Sequence, residues 1–168
     1  STVQTTVSAR AAGLPIVYGA ELTLAWDALR GIVAGSSAPG WGLAPGAEDP
    51  GMRLPILAAS PSGYANLVGA MSERALSEPG QRKPRHDLVN LSEAGGGLVA
   101  LTGGSRGPLM RALRAGGAAP ARRVLDGLVD AFGRDHVLVE WQGARGDEDE
   151  VGGVLAELAR ASGTRLVA

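Results

Sequence analysis

Cysteine is absent from the 168 residues. With it go a disulfide framework and any thiolate metal site. Histidine is nearly as scarce: His86 and His136 are the only two, too few for a His-rich metal site completed by this chain alone. Lysine occurs once, at Lys83, so arginine carries almost all of the basic charge. Sixteen basic against seventeen acidic residues leave a formal charge of −1. That balance excludes a strong global attraction to nucleic acid or to acidic membranes, while leaving room for a local basic patch. No apolar run approaches the roughly 18 residues of a membrane span, and Ser1 to Arg10 lack the basic start and apolar stretch of a secretory signal. The sequence opens on Ser rather than Met, so it is expected to be processed or cut from something longer.

What is present suits one domain. Hydrophobic residues make up 45% of the chain, and at this length roughly 70% of the unfolded surface can be buried. Val3 to Ala12 reads as a helix stopped by Gly13 and Pro15. Ile16 to Leu24 reads as a strand, and Trp26 to Val33 as a short helix or further sheet. Ala34 to Gly51 is crowded with Gly, Pro and Ser, and is expected to be a loop insertion at the surface. Arg53 to Ala59 is a short strand, with Pro55 favouring an edge or an irregular start. Ser60-Pro61 opens a helix with a hydroxyl cap and proline at the first helical position. Tyr64, Leu67, Val68, Met71 and Ala75 form its apolar face.

Beyond Pro79-Gly80, Gln81 to Arg85 is a basic linker, and Asp87 to Ala94 a short helix before three glycines. Leu98 to Thr102 is a buried strand. The clearest helix follows, with Val124, Leu125, Leu128, Val129 and Phe132 in one apolar stripe. His136 to Trp141 is a strand. Asp147 opens a last helix, with Glu150 completing a capping-box analogue, and Thr164 to Val167 starts another strand. Strands alternating with helices predict an α/β fold with largely parallel strands.

Thr102-Gly103-Gly104-Ser105-Arg106-Gly107 lies between a strand and a helix, where backbone N–H groups can meet a phosphate. It looks like the nucleotide loop of short-chain dehydrogenases. However, position 109 is Leu where that family has a further Gly, and neither Tyr18 nor Tyr64 is followed four residues on by Lys. A plain strand-to-helix turn is the preferred reading. Glu21 lies inside an otherwise apolar strand, so it must be paired, metal-bound or on the solvent face. Glu140 is placed similarly. His86 reads as part of a solvated loop rather than as a phosphate contact, and His136 as structural. No Ser, His and Asp set carries a nucleophile signature.

Taken in order, Ala11-Ala12-Gly13-Leu14-Pro15-Ile16-Val17-Tyr18-Gly19-Ala20-Glu21-Leu22, Leu57-Ala58, Gly63-Tyr64-Ala65-Asn66-Leu67, Lys83-Pro84-Arg85, Gly97-Leu98-Val99-Ala100-Leu101-Thr102-Gly103 and Leu138-Val139-Glu140 form a series. This series resembles the polymerase-and-histidinol-phosphatase (PHP) domain that opens the alpha subunit of bacterial C-family DNA polymerases, in its error-prone, damage-associated branch. The resemblance implies a distorted α/β barrel, here partial, with a metal cluster at one end. Glu21 matches a family metal ligand. Position 53, where the family usually has a ligand His, is Arg, and position 104, where it often has a ligand Cys, is Gly. The family's early His-rich motif would lie upstream of Ser1 and its late Asp and His motif beyond Ala168, so residues 1–168 are expected to be an incomplete PHP domain.

The resemblance therefore implies a fragment of an error-prone DNA polymerase alpha subunit, with this segment a structural module inactive alone. No catalytic or cofactor-binding residue is assigned. No cofactor is expected in this chain, although the family implies divalent Mg, Mn or Zn, and a positive Arg at position 53 repels such an ion. The expected partners are the remainder of the polymerase subunit and, through that parent, DNA and dNTPs. No membrane partner is expected, and the location is bacterial cytoplasm. One alternative is a piece of a stand-alone metal-dependent PHP phosphoesterase, which requires His-rich motifs on both sides. A nucleotide-cofactor oxidoreductase built on the glycine loop ranks below it.

Overall fold

A computed structural model describes residues 2–25, 29, 51–77, 84–94, 96–143 and 148–168. Helix α1, Thr2–Ala11, ends before Gly13 and leads to strand β1, Tyr18–Leu24. Strand β2 is Met52–Ala58, helix α2 is Pro61–Ser77, and strand β3 is the short Arg85–His86. Helix α3, Leu88–Glu93, precedes strand β4, Leu98–Leu101. Helices α4, Pro108–Gly116, and α5, Ala118–Phe132, then lead to strand β5, Val137–Glu140. Helix α6, Glu148–Ser162, and strand β6, Arg165–Val167, complete the order. The stretch 34–50 and the basic linker up to Lys83 lie outside the described residues, as do Asp147 with its capping box and, apart from Leu29, the stretch 26–33.

Six strands form one sheet in the order β3-β1-β2-β4-β5-β6. The expectation of largely parallel strands needs one correction. The β1–β3, β4–β5 and β5–β6 pairs are parallel, but β2 runs against both of its neighbours. Pro55 is corrected with it: its strand is interior, not an edge. The ladder tolerates it because β4 pairs only with Ile56 to Ala58, so no β4 partner stands opposite the missing N–H.

Alternation along the strands sorts residues onto two faces. Leu22, Leu24, Met52, Leu54, Ile56, Leu98, Ala100, Val137 and Val139 are buried on one face, together with helix residues such as Leu67, Leu91, Leu109, Leu125, Leu128 and Leu155. Each fully buried Leu or Ile contributes about 1.5–3 kcal/mol, so this one-sided core holds the sheet. The other face carries Glu21, Thr23, Arg53, Pro55, Leu57, Val99, Leu101, Leu138 and Glu140, none of them fully buried.

Local caps follow the sequence. The Gly63 N–H donates to Ser60 Oγ at 3.0 Å, opening α2. The Asn90 N–H donates to Asp87 Oδ1 at 2.7 Å, opening α3. Asp87→Ala is expected to cost about 1 kcal/mol and to lower the unfolding midpoint by about 2–4 °C, measured by thermal denaturation. The α2 face is a correction: Gly63 and Leu67 are its buried residues, while Tyr64, Val68 and Met71 are exposed. Tyr64 instead meets the Tyr18 ring edge-on at 5.4 Å, and Tyr18 and Thr6 share a 3.0 Å hydroxyl hydrogen bond that ties α1 to β1. Helical periodicity marks an apolar stripe, but of that stripe Leu67 alone is buried. His86 is also corrected: it is buried in β3, with its carbonyl accepting from the Ala25 N–H at 2.9 Å.

Candidate functional site

The β1–β2 register sets Thr23 opposite Arg53 and Glu21 opposite Pro55. Side chains two apart on a strand share a face, so Glu21 and Thr23 lie on the side to which Arg53 projects. Arg53 Nη1 stands 3.3 Å from Glu21 Oε1 and donates to Thr23 Oγ1 at 3.3 Å. The Arg53 side chain is 24% exposed and that of Glu21 45%. At such exposure an ion pair stabilises by about 0.2–1 kcal/mol. Glu21 is thus paired, on a face that solvent also reaches.

A second cluster forms where β4 and β5 end. Thr102 is buried; its N–H donates to the Leu138 carbonyl at 3.1 Å, and its Oγ1 accepts from the Glu140 N–H at 2.9 Å. The Glu140 carboxylate accepts from the Gln142 side-chain amide, and its Oε2 is buried without a partner among the described residues. Gly104 lies beside Gln142. His136 sits in a short 3₁₀ turn, Arg134–His136, ahead of β5.

The glycine loop between β4 and α4 is a 3₁₀ turn, Gly104–Arg106, entered through Gly103 at φ 81°. A Cβ on Gly103 would meet the Arg53 carbonyl oxygen. The glycine is thus required by a left-handed turn and by the close approach of the β2 backbone, without a phosphate to explain it.

Divalent cations need several converging O and N ligands. Among the described residues no three His, Cys, Asp or Glu side chains converge to hold one, and the Arg53 guanidinium stands against the one carried-over ligand. Glu140 offers one further oxygen, but the Gln142 amide donates to it and no second carboxylate or imidazole stands with it among the described residues. The residues at the family's ligand positions therefore do not fit a divalent cation. Glu21 and Arg53 are brought together; Gly104 falls instead with Gln142. Sequence reading missed the parts of Thr23 and Gln142. Each lies two residues beyond a singled-out carboxylate, so strand alternation was the available signal. No described helix is long and apolar enough to cross a membrane.

Comparison with known proteins agrees with the ordered series of motifs. The chain is 37% identical over 154 residues to an error-prone DNA polymerase of Mycolicibacterium paratuberculosis and 36% identical over 154 residues to one of Mycobacterium tuberculosis. It is 37% identical over 156 residues to one of Cutibacterium acnes. Each match covers 90% of this chain, but only 13% of the mycobacterial proteins and 12% of the third. The chain thus spans about an eighth of the length of the curated relatives it matches. A PHP domain model matches residues 2–144, and by that match, along most of its length, the chain belongs to the PHP domain family.

Proposed function

We propose that this chain is the PHP segment of an error-prone DNA polymerase alpha-type subunit and serves that subunit as a structural module without metal chemistry of its own. The similarity to three error-prone polymerases across 90% of the chain carries the reading. The parent's activity is DNA-templated nucleotidyl transfer in damage-associated replication and repair, in the bacterial cytoplasm, with DNA and dNTPs held by other parts of the subunit. The segment is part of a distorted barrel. Its half-buried second face, with Leu57, Val99, Leu101 and Leu138, supports this, because inward and outward positions alternate on every barrel strand.

The test pairs two assays. The 168-residue chain with Mn²⁺ or Zn²⁺ is expected to hydrolyse no bis-p-nitrophenyl phosphate. The full-length subunit is expected to extend a primer equally well with Glu21→Gln as without it. Hydrolysis by the chain that disappears in Glu21→Gln would establish the phosphoesterase alternative instead.

A further inference from the structure

We infer that Arg53 is a built-in replacement for a cation: its guanidinium supplies the positive charge beside Glu21 from within the chain and closes that position to metal ions. This rests on the metal-free reading above and gives it a specific agent.

The register holds Arg53 in place. Arg53 lies opposite Thr23 on β1, between the fully buried Met52 and Leu54. Moving its side chain off the Glu21 face requires a one-residue slip, which would turn those core residues out toward the second face. One guanidinium nitrogen then serves two acceptors, Glu21 Oε1 and Thr23 Oγ1, each at 3.3 Å. Arg53 so braces β2 against two positions of β1. A metal ion coordinated to Oε1 would sit about 2 Å from that oxygen. It would then lie within roughly 5.5 Å of Arg53 Nη1 in any direction, like charge against like charge.

The second departed ligand position offers no ligand either. Gly104 is at φ +52°, and a Cβ there would stand 2.6–2.8 Å from the Gln142 carboxamide atoms. That carboxamide is the end of an exposed, flexible side chain and can give way, so position 104 lacks a donor atom rather than room. A positive charge stands at position 53 and no donor atom at position 104, so the two departures act in the same direction.

Thermal unfolding in ZnCl₂ against EDTA tests the inference, with bound zinc counted by equilibrium dialysis. The unaltered chain and Arg53→Lys are expected to unfold at the same temperature with or without zinc. Arg53→His places a neutral imidazole beside Glu21. It is expected to gain weak zinc binding, with a zinc-dependent rise of a few degrees at tens of times Kd, weak because two side chains alone hold the ion, and adding Glu21→Gln should abolish it. Zinc bound by the unaltered chain and lost in Glu21→Gln would overturn this inference together with the metal-free reading. A zinc-inert Arg53→His beside a zinc-inert unaltered chain overturns the cation replacement alone. Should Arg53→His not fold, Arg53→Gln decides by dialysis: with the charge removed it is expected to retain more zinc than Arg53→Lys, and equal retention overturns the inference.

Discussion

Gly103→Val is expected to lower the midpoint of thermal unfolding by roughly 10 °C. Gly103 has φ +81°, and a Cβ there would meet the carbonyl oxygen of Arg53 and lie 2.8 Å from the Gly107 Cα. The left-handed backbone costs an L-residue about 1–2 kcal/mol, and forcing atoms into filled space adds about 1–3 kcal/mol. A total near 3 kcal/mol converts to this shift at about 2–4 °C per kcal/mol for a chain of this size. The obstacle is backbone on β2, not the far end of a flexible side chain, so little of the cost can be relaxed. Ser105→Ala, at an exposed neighbour in the same turn, is the control and should stay within about 0.5 kcal/mol of the parent. A Gly103→Val chain as stable as its parent would show that the loop is not the packed turn described above.

Leu125→Ala should be as damaging by the opposite route. Leu125 is fully buried near the middle of α5, which packs against α3, α4, α6 and strands β4 and β5. Truncation removes transfer free energy and leaves a cavity, together about 2–5 kcal/mol. Urea unfolding followed by tryptophan fluorescence should show the midpoint falling accordingly with an unchanged slope, since the surface exposed on unfolding is nearly the same. Val129→Ala, one turn on and only partly buried, should cost less than half as much. A loss below about 1 kcal/mol for Leu125→Ala would mean that α5 is not the centre of the core.

Much of this architecture is legible locally. The serine and proline before Tyr64 open α2, Asp87 opens α3, and the stripe from Val124 to Phe132 defines α5. Each depends on groups within one or two helical turns, which the sequence places directly. Even the glycine loop reads correctly as a turn, because its departures from a nucleotide-binding pattern lie within the same few residues.

The ordered motifs from Ala11 to Glu140 were enough to determine the family, and they singled out Glu21, Arg53 and Gly104. The tertiary structure alone decided that β2 runs against its neighbours, that Pro55 is tolerated inside the sheet, that Tyr64, Val68 and Met71 stay exposed, and that His86 is buried. It also decided that Arg53 reaches Glu21 and Thr23. The physical reason is the same in each case. Periodicity and capping are properties of a short backbone segment, whereas strand direction, burial and ion pairing depend on a partner distant in sequence. Arg53 and Thr23 are thirty residues apart along the chain, and only the register of two paired strands brings that guanidinium to that hydroxyl.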